Sequence, residues 1–495
     1  MQAVGTLWLI EQFKPAPVVV SQRSYIAGKR TSTTLRDGQV EETYPKSYWP
    51  GDTALDHVAF ALKHEPVSLD LLHQVFRHIP AGEVDAYIAT NPTGKYARRI
   101  GFLYELLTTH ELRTKVAGNF VSVLDEKRYF TGKPHLDQRW RVRNNLLGSA
   151  GFCPIIRRTP ALLRKLIPDY AADIRGISKA AGSQLLSRAI HYLYRKETKA
   201  SFEIEHETVG GSKELRFLQV LADVGKIPAS ELLDEGRLVA LQNLIVDSRY
   251  ANQSYRTNQN YVGRTLPNYQ EQVHYVCPPP TLVRTLVAGL RTFLTRSEGI
   301  PSPIRAAVVG FGFVYVHPFE DGNGRIHRLL LHETLASDGY TDAGLVLPLS
   351  AGILHEPHVY ESTLEVFSKT VLGRVQYELD AKGRLTIKNA EQAGGVWRYP
   401  DFTAHAEYVI DLIERAVRHD LPTELDVLQR FDVAGRGISE VVDLPNRKRQ
   451  LMLRLLHQNH GKLSKNKREG EFPELTDEEI VRIEAAFARA FGGEL

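Results

Sequence analysis

The chain has 495 residues, 43% hydrophobic and 24% charged, an ordinary globular composition with room for about three domains at roughly 100–200 residues each. Its 62 Lys and Arg against 58 Asp and Glu leave a net charge of +4, which excludes a histone-like polycation or an acidic solvating tail but not a local basic patch. The two cysteines, Cys153 and Cys277, exclude a disulfide scaffold and any Cys-x-x-Cys metal or redox motif. No apolar run reaches the roughly 18 residues of a transmembrane helix, and no basic leader precedes Val4–Ile10. The expectation is a soluble cytoplasmic protein without a membrane partner.

In chain order, residues 1–50 carry Pro15, Pro17 and the polar run Thr31–Thr34, and read as an irregular arm with short strands. Leu55, Val58, Ala59 and Leu62, then Leu69, Leu72, Val75 and Phe76, recur at helical spacing. Tyr96–Leu107 continues this with Arg98 and Arg99 on its polar side. Residues 111–184 are less regular, rich in Arg (Arg139, Arg141, Arg143, Arg157, Arg158), and read as a connector. Helices are expected over Ser183–Phe202, Lys213–Val224 and Glu235–Ile245. Asn260–Val262 and Val273–Val276 alternate like strands around Gly263 and Pro267, a hairpin with a long loop. Pro278–Pro280 then launches a helix over Leu282–Leu294.

Ile304–Val316 is apolar nearly all round and predicts a buried helix, stopped at His317-Pro318. Glu320–Gly324 is a turn and Arg325–Ala336 is helical again. A small hairpin is expected at Val375–Leu379 and Arg384–Ile387, and helices from there to Leu495. The fold class is mostly α, divided as 1–110, 111–184, 185–375 and 376–495.

The chemistry sits in His317-Pro-Phe-Glu-Asp-Gly-Asn-Gly-Arg-Ile-His-Arg328. A buried helix delivers His317 to a loop, and the loop supplies the Asp321 carboxylate. Gly322 and Gly324 flank Asn323 and permit a close backbone approach. A new helix then begins, whose free N–H groups and dipole favour an anion. Arg325 and Arg328, at i and i+3, share one face of its first turn. A base, a carboxylate, an anion cradle and two cations suit phosphoryl or nucleotidyl transfer, which depends on positioning and charge neutralisation.

This segment resembles the signature of the Fic family, His-Pro-Phe-x-[Asp/Glu]-Gly-Asn-Gly-Arg-x-x-Arg, at every fixed position. The resemblance implies a Fic catalytic domain over 185–375 that transfers AMP from ATP to a Tyr, Thr or Ser hydroxyl of a target protein, with self-modification as a further outcome. It implies that His317 is the base, that Asp321 holds Mg²⁺, and that Asn323 with the N–H groups of Gly322 and Gly324 holds the α-phosphate. Arg325 and Arg328 would take the β- and γ-phosphates. Phe319 is expected in the core and Glu320 in solvent. Ser201-Phe-Glu-Ile-Glu205 is similar to the family's inhibitory motif, [Ser/Thr]-x-x-x-Glu-[Gly/Asn], whose Glu pairs with the second signature Arg; His206 departs from it. Arg256–Gly263 with His274–Pro280 is similar to the family's flap, which implies that Tyr261, Val262, Gly263 and Tyr275 align a target by strand addition. Tyr360 matches a position lining the adenine pocket, and a core tyrosine is an equal reading.

Other chemistries fit less well. His327 and His332, five apart on one helix, point roughly 140° apart, and His355-Glu-Pro-His358 is not a His-Glu-x-x-His zinc motif. A Walker A loop is absent. Adjacent Glu320 and Asp321 cannot face each other across a sugar. Still open are transfer of another nucleotide, removal of AMP by the same site, and a nucleic-acid-binding regulator built on Arg139–Arg143, Arg157-Arg158 and Lys462–Arg468, which would bind with steep salt dependence.

Overall fold

The computed structural model of the chain describes residues 1–36, 39–208, 210–267 and 270–492. Helices dominate, with four small sheets among the described residues. The chain forms two compact units. One comprises residues 1–168, 198–345 and 349–412, the other residues 169–197, 346–348 and 413–495. No helix among the described residues is long and apolar enough to cross a membrane.

In the first unit the N-terminal arm is more ordered than its composition implies. Gln2–Ala3, Gln22–Ile26, Gln39–Tyr44 and Ser32–Arg36 lie side by side in that order as a sheet, beside the helix Thr6–Phe13. The helix Ala54–His64 starts at a reciprocal capping box between Thr53 and Asp56. Leu69–Phe76 starts where the Ser68 side chain accepts from the Leu71 N–H. Their apolar stripes meet Lys95–Thr108 in a core that includes Val58, Leu72, Ile100 and Leu103. Arg98 and Arg99, expected on the solvent side of Lys95–Thr108, are instead 3% and 7% exposed. Arg99 Nε donates to the Val123 carbonyl at 2.7 Å and Arg98 Nη1 to that of Arg141 at 3.2 Å. Buried guanidiniums need such partners, and the loops over this helix supply them.

The basic runs are partly paired within the fold, with Arg143, Lys465 and Lys467 exposed. Arg139 pairs with Glu105 at 2.7 Å and Arg157 with Asp401 at 2.8 Å, while Arg158 lies over the Phe130 ring. Lys462 pairs with Glu484 and Arg468 with Asp477.

Two helices carry the site. Ser302–Val316 opens with Pro303 in its first turn and is buried from Pro303 to Phe313, as its apolar sequence predicts. At Gly310 a Cβ would meet Leu331 Cδ2 at 2.6 Å and His327 Nδ1 at 3.1 Å. Its absence lets the helix close on Asn323–Ser337. Tyr261–Thr265 and Glu271–Val276 pair antiparallel, with a register shift between Val262 and Gly263. The small hairpin pairs Tyr377–Leu379 with Leu385–Ile387.

In the second unit Leu421–Val441, Asn446–Gln458 and Asp477–Phe491 pack around Met452, Leu456, Ile483 and Phe487. The helix expected from Ser183 begins earlier, at Tyr170, and runs to Ile204 across a break at Gly182, where φ is +74°. Only glycine takes that conformation freely.

Candidate active site

His317 ends the buried helix in the left-handed region, φ +50° and ψ +60°. Its Nδ1 lies 3.1 Å from the Val314 carbonyl oxygen. That carbonyl can only accept, so Nδ1 carries the proton and Nε2 is left as the lone-pair nitrogen. Burial, seconded by the Arg256 charge, pushes the His317 pKa down to about 4 against the opposing pull of the Val314 bond, Glu205 and Asp321. The imidazole is therefore neutral near pH 7.

The backbone that places His317 is tied down by Arg256. Its Nε donates to the His317 carbonyl at 2.7 Å, its Nη1 to Asn258 at 2.9 Å and its Nη2 to Pro278 at 2.7 Å. Its own N–H reaches the Pro318 carbonyl at 2.8 Å. One buried side chain thus joins the signature loop to the root of the hairpin. No spacing pattern announces this role.

The loop is shaped by Asn323. Its Oδ1 accepts from the Phe319 N–H at 3.0 Å and its Nδ2 donates to the Phe319 carbonyl at 2.8 Å. Asn323 is 2% exposed. Both polar atoms of its side chain thus bond within the loop, and Nδ2 keeps a second N–H. Phe319 is fully buried, and Glu320 is exposed as expected. Gly322 has φ +89°, and its N–H is taken by Asp321 Oδ1 at 2.6 Å. That oxygen also accepts from Arg325 Nη2 at 2.9 Å.

Arg325 and Arg328 are each 1% exposed. Arg328 Nε donates to Ser201 Oγ at 2.9 Å, and its Nη2 to the Ser201 carbonyl at 2.7 Å and Glu205 Oε1 at 2.8 Å. Burial alone would raise the Glu205 carboxyl. The Arg328 guanidinium, with Arg325 and His317 beyond it, outweighs that and holds it below the usual carboxylate range. Arg325 lies over the Phe202 ring and meets a second carboxylate, Glu207, at 3.1 and 3.2 Å. Sequence reasoning missed Glu207; its two-residue spacing from Glu205 was the available signal. Arg325 Nε and Arg328 Nη1 are buried without a hydrogen-bond partner.

Both carboxylates hang from one helix end. The Glu207 N–H bonds the Phe202 carbonyl at 3.1 Å and the His206 N–H that of Glu203 at 2.9 Å, the paired bonds of a Schellman cap. That cap needs a left-handed residue at the position of His206, whose φ is +56°. The Gly or Asn of the expected motif and the His present here therefore serve the same turn.

The hairpin residues divide. Val262 is 41% exposed, and Gly263 is exposed beside it. Tyr261 is partly exposed on the same strand. Tyr275 is 5% exposed and its hydroxyl donates to the Tyr315 carbonyl at 2.6 Å, anchoring the hairpin to the core. Tyr360 is buried, with Phe311 and His327 at 6.2 Å and Tyr408 at 6.1 Å, and it lies close enough to Arg328 and Glu205 to feel their charges.

Among the described residues no three or more His, Cys, Asp or Glu side chains gather into a metal cage. Mg²⁺ is usually held by one or two carboxylates completed by water and substrate phosphates. Asp321, its side chain 49% exposed at the loop, fits that part. Both thiols are buried, and burial pushes each up to about 12, so neither serves as a nucleophile.

The family model described as Fic/DOC matches residues 232–335. The "Protein adenylyltransferase Fic" of Culex quinquefasciatus is 33% identical over 88 residues, 17% of this chain and 16% of that protein, so the chain spans only about a sixth of that relative's length. Among solved structures, a Fic family protein from Desulfovibrio desulfuricans is 20% identical at a TM-score of 0.38, covering 64% of this chain and 88% of that one. A Fic-domain-containing signalling protein from Bacteroides thetaiotaomicron is 16% identical at 0.34, covering 54% and 97%. The segment that bears His317, Asp321, Arg325 and Arg328 lies within the residues that match the Fic/DOC family model, so this part of the chain is similar to a Fic/DOC domain.

Proposed function

We propose that the chain transfers AMP from ATP to a Tyr, Thr or Ser hydroxyl of a target protein, with Mg²⁺, and that Glu205 holds the reaction back. One observation carries this reading: two buried guanidiniums beside a neutral histidine are met by carboxylates, whose charged oxygens suit the same donors as phosphate oxygens would. The orphaned Arg325 Nε and Arg328 Nη1 leave donors for further oxygens.

His317 Nε2 takes the proton of the target hydroxyl. The hydroxyl oxygen bonds the α-phosphorus as the bond to the bridging oxygen breaks, and pyrophosphate leaves. Arg325 and Arg328 hold the β- and γ-phosphates, and Asp321 would hold Mg²⁺, which when bound would supply charge neutralisation. The Tyr261–Thr265 strand, with Val262 and Gly263 outward, offers an edge to an extended target segment. The catalytic region is wider than the matched residues, because Ser201 and Glu205 precede them.

The test is incubation with Mg²⁺ and each nucleotide triphosphate in turn, read by mass spectrometry for modified hydroxyls. AMP from ATP is expected, with at least a tenfold gain in Glu205→Gly, since charge-assisted pairs contribute roughly 1.5–3 kcal/mol. Exclusive use of another nucleotide, or no gain in that variant, sinks the corresponding half of the reading.

A further inference from the structure

We infer that Glu207 is a second gate on the nucleotide site, acting on Arg325 as Glu205 acts on Arg328; this rests on the reading that Arg325 receives a phosphate.

Glu207 meets the guanidinium with both carboxylate oxygens, Oε1 to Nη2 at 3.1 Å and Oε2 to Nη1 at 3.2 Å. This fork-to-fork contact covers the two nitrogens that a phosphate would use. The fold does not need Glu207 to neutralise Arg325. Asp321, one turn back, already pairs with it at 2.9 Å. Glu207 also has a second cation in reach, Lys213 at 3.8 Å, and its side chain is 34% exposed against 2% for Arg325. It is a surface-reaching carboxylate laid over a buried cation, and it can leave.

The two gates are mechanically one. Glu205 and Glu207 flank His206 in a single helix cap, held by the bonds to Phe202 and Glu203. Unwinding that cap withdraws both carboxylates, whereas removal of the Glu205 side chain frees only Arg328. A nucleotide entering a Glu205→Gly protein still has to displace Glu207.

Nucleotide length separates the gates. ADP lacks the γ-phosphate assigned to Arg328 but keeps the β-phosphate assigned to Arg325. The experiment is calorimetric titration of the full chain with ATP and with ADP, in Mg²⁺, for wild type, Glu205→Gly, Glu207→Gln and the double variant. Glu207→Gln is expected to tighten ADP about tenfold, and the double variant to bind ATP about tenfold more tightly than Glu205→Gly alone. Glu207→Asp, too short for the forked contact, gives the same direction if the Gln form does not fold. ATP binding by Glu205→Gly with no further gain from either Glu207 change overturns the second gate alone. Absence of nucleotide binding in every form overturns the phosphate site and the gate with it. Tighter binding without AMP transfer in any form leaves the gate standing and removes the transfer reading.

Discussion

The Glu205 carboxylate rests on Gly324: a Cβ built there would lie 2.1 Å from Oε1. The carboxylate thus occupies the start of the helix Asn323–Ser337, where N–H groups and helix dipole favour negative charge.

Gly324→Ala follows from this contact. The added methyl drives Glu205 off, since the end of a flexible side chain yields more easily than backbone. It also occupies the space a phosphate would need. The expectation is that Gly324→Ala lowers ATP affinity at least tenfold in the Glu205→Gly background, measured by calorimetry. An unchanged affinity would place the phosphates elsewhere.

His317 should set no pH limit near neutrality. With its pKa pushed down to about 4 by burial, the imidazole stays neutral and able to accept a proton down to about pH 5. AMP transfer by Glu205→Gly is expected to hold its His317-dependent rate from pH 8 to about 5.5 and to fall below that. His317→Ala should lose at least a hundredfold in rate, general bases contributing roughly 10²–10⁴. A profile that breaks at pH 6.5 would mean that the histidine is solvated.

Acid should destabilise the first unit early. His57, His327 and His405 are fully buried, and burial pushes them down to about 4, 3 and 3. Each is neutral in the fold and binds its proton more readily when unfolded. The stability they lend is complete above pH 6.5 and lost as pH falls toward 4, on the order of 3 kcal/mol for a fully titrated group. Glu65 opposes this. Burial pushes it up to about 7, so protonation between pH 7 and 4.5 favours the folded state. Glu333 and Asp338, also raised by burial, act with Glu65, while His64, His73 and His317, lowered by burial, act with the other three histidines; the histidines are the larger set, and the denaturant midpoint should drop between pH 6.5 and 4.5. A flat midpoint across that range would contradict the burial of these rings.

Gly310→Ala should loosen the helix pair that carries the site. The methyl would press on Leu331 Cδ2 at 2.6 Å, and overpacking of this kind costs about 1–3 kcal/mol. Thermal unfolding checks it: a melting temperature equal to or above wild type would show that the helices are free to part.

The legible parts of this molecule were those where local chemistry decides. The Glu235–Ile245 helix has the bounds its pattern predicts, and the apolar run after Pro303 is the buried helix expected. The signature from His317 to Arg328 is compact enough that its residues meet through one loop. What stayed hidden depends on distant partners. Nothing near Arg98 and Arg99 says that loops more than twenty residues on would cover them. Tyr275 alternates like a surface strand residue, yet the Tyr315 carbonyl claims its hydroxyl. The sequence does not show that Asn323 also braces the loop through the Phe319 backbone. Glu207 lies outside the expected motif, and only the turn at His206 aims it inward.

That turn also sets how firmly the resting state is held. A non-glycine residue in the left-handed region gives up roughly 1–2 kcal/mol relative to its relaxed conformation, and His206 sits there at φ +56°. The charge gained at Arg325 and Arg328 is partly spent on holding the backbone bent. The population with the cap undone is then larger, by roughly five- to thirtyfold, than it would be with glycine. On the proposed reading, a histidine at this one position leaves the nucleotide site slightly open at rest, by an amount set in a single dihedral angle.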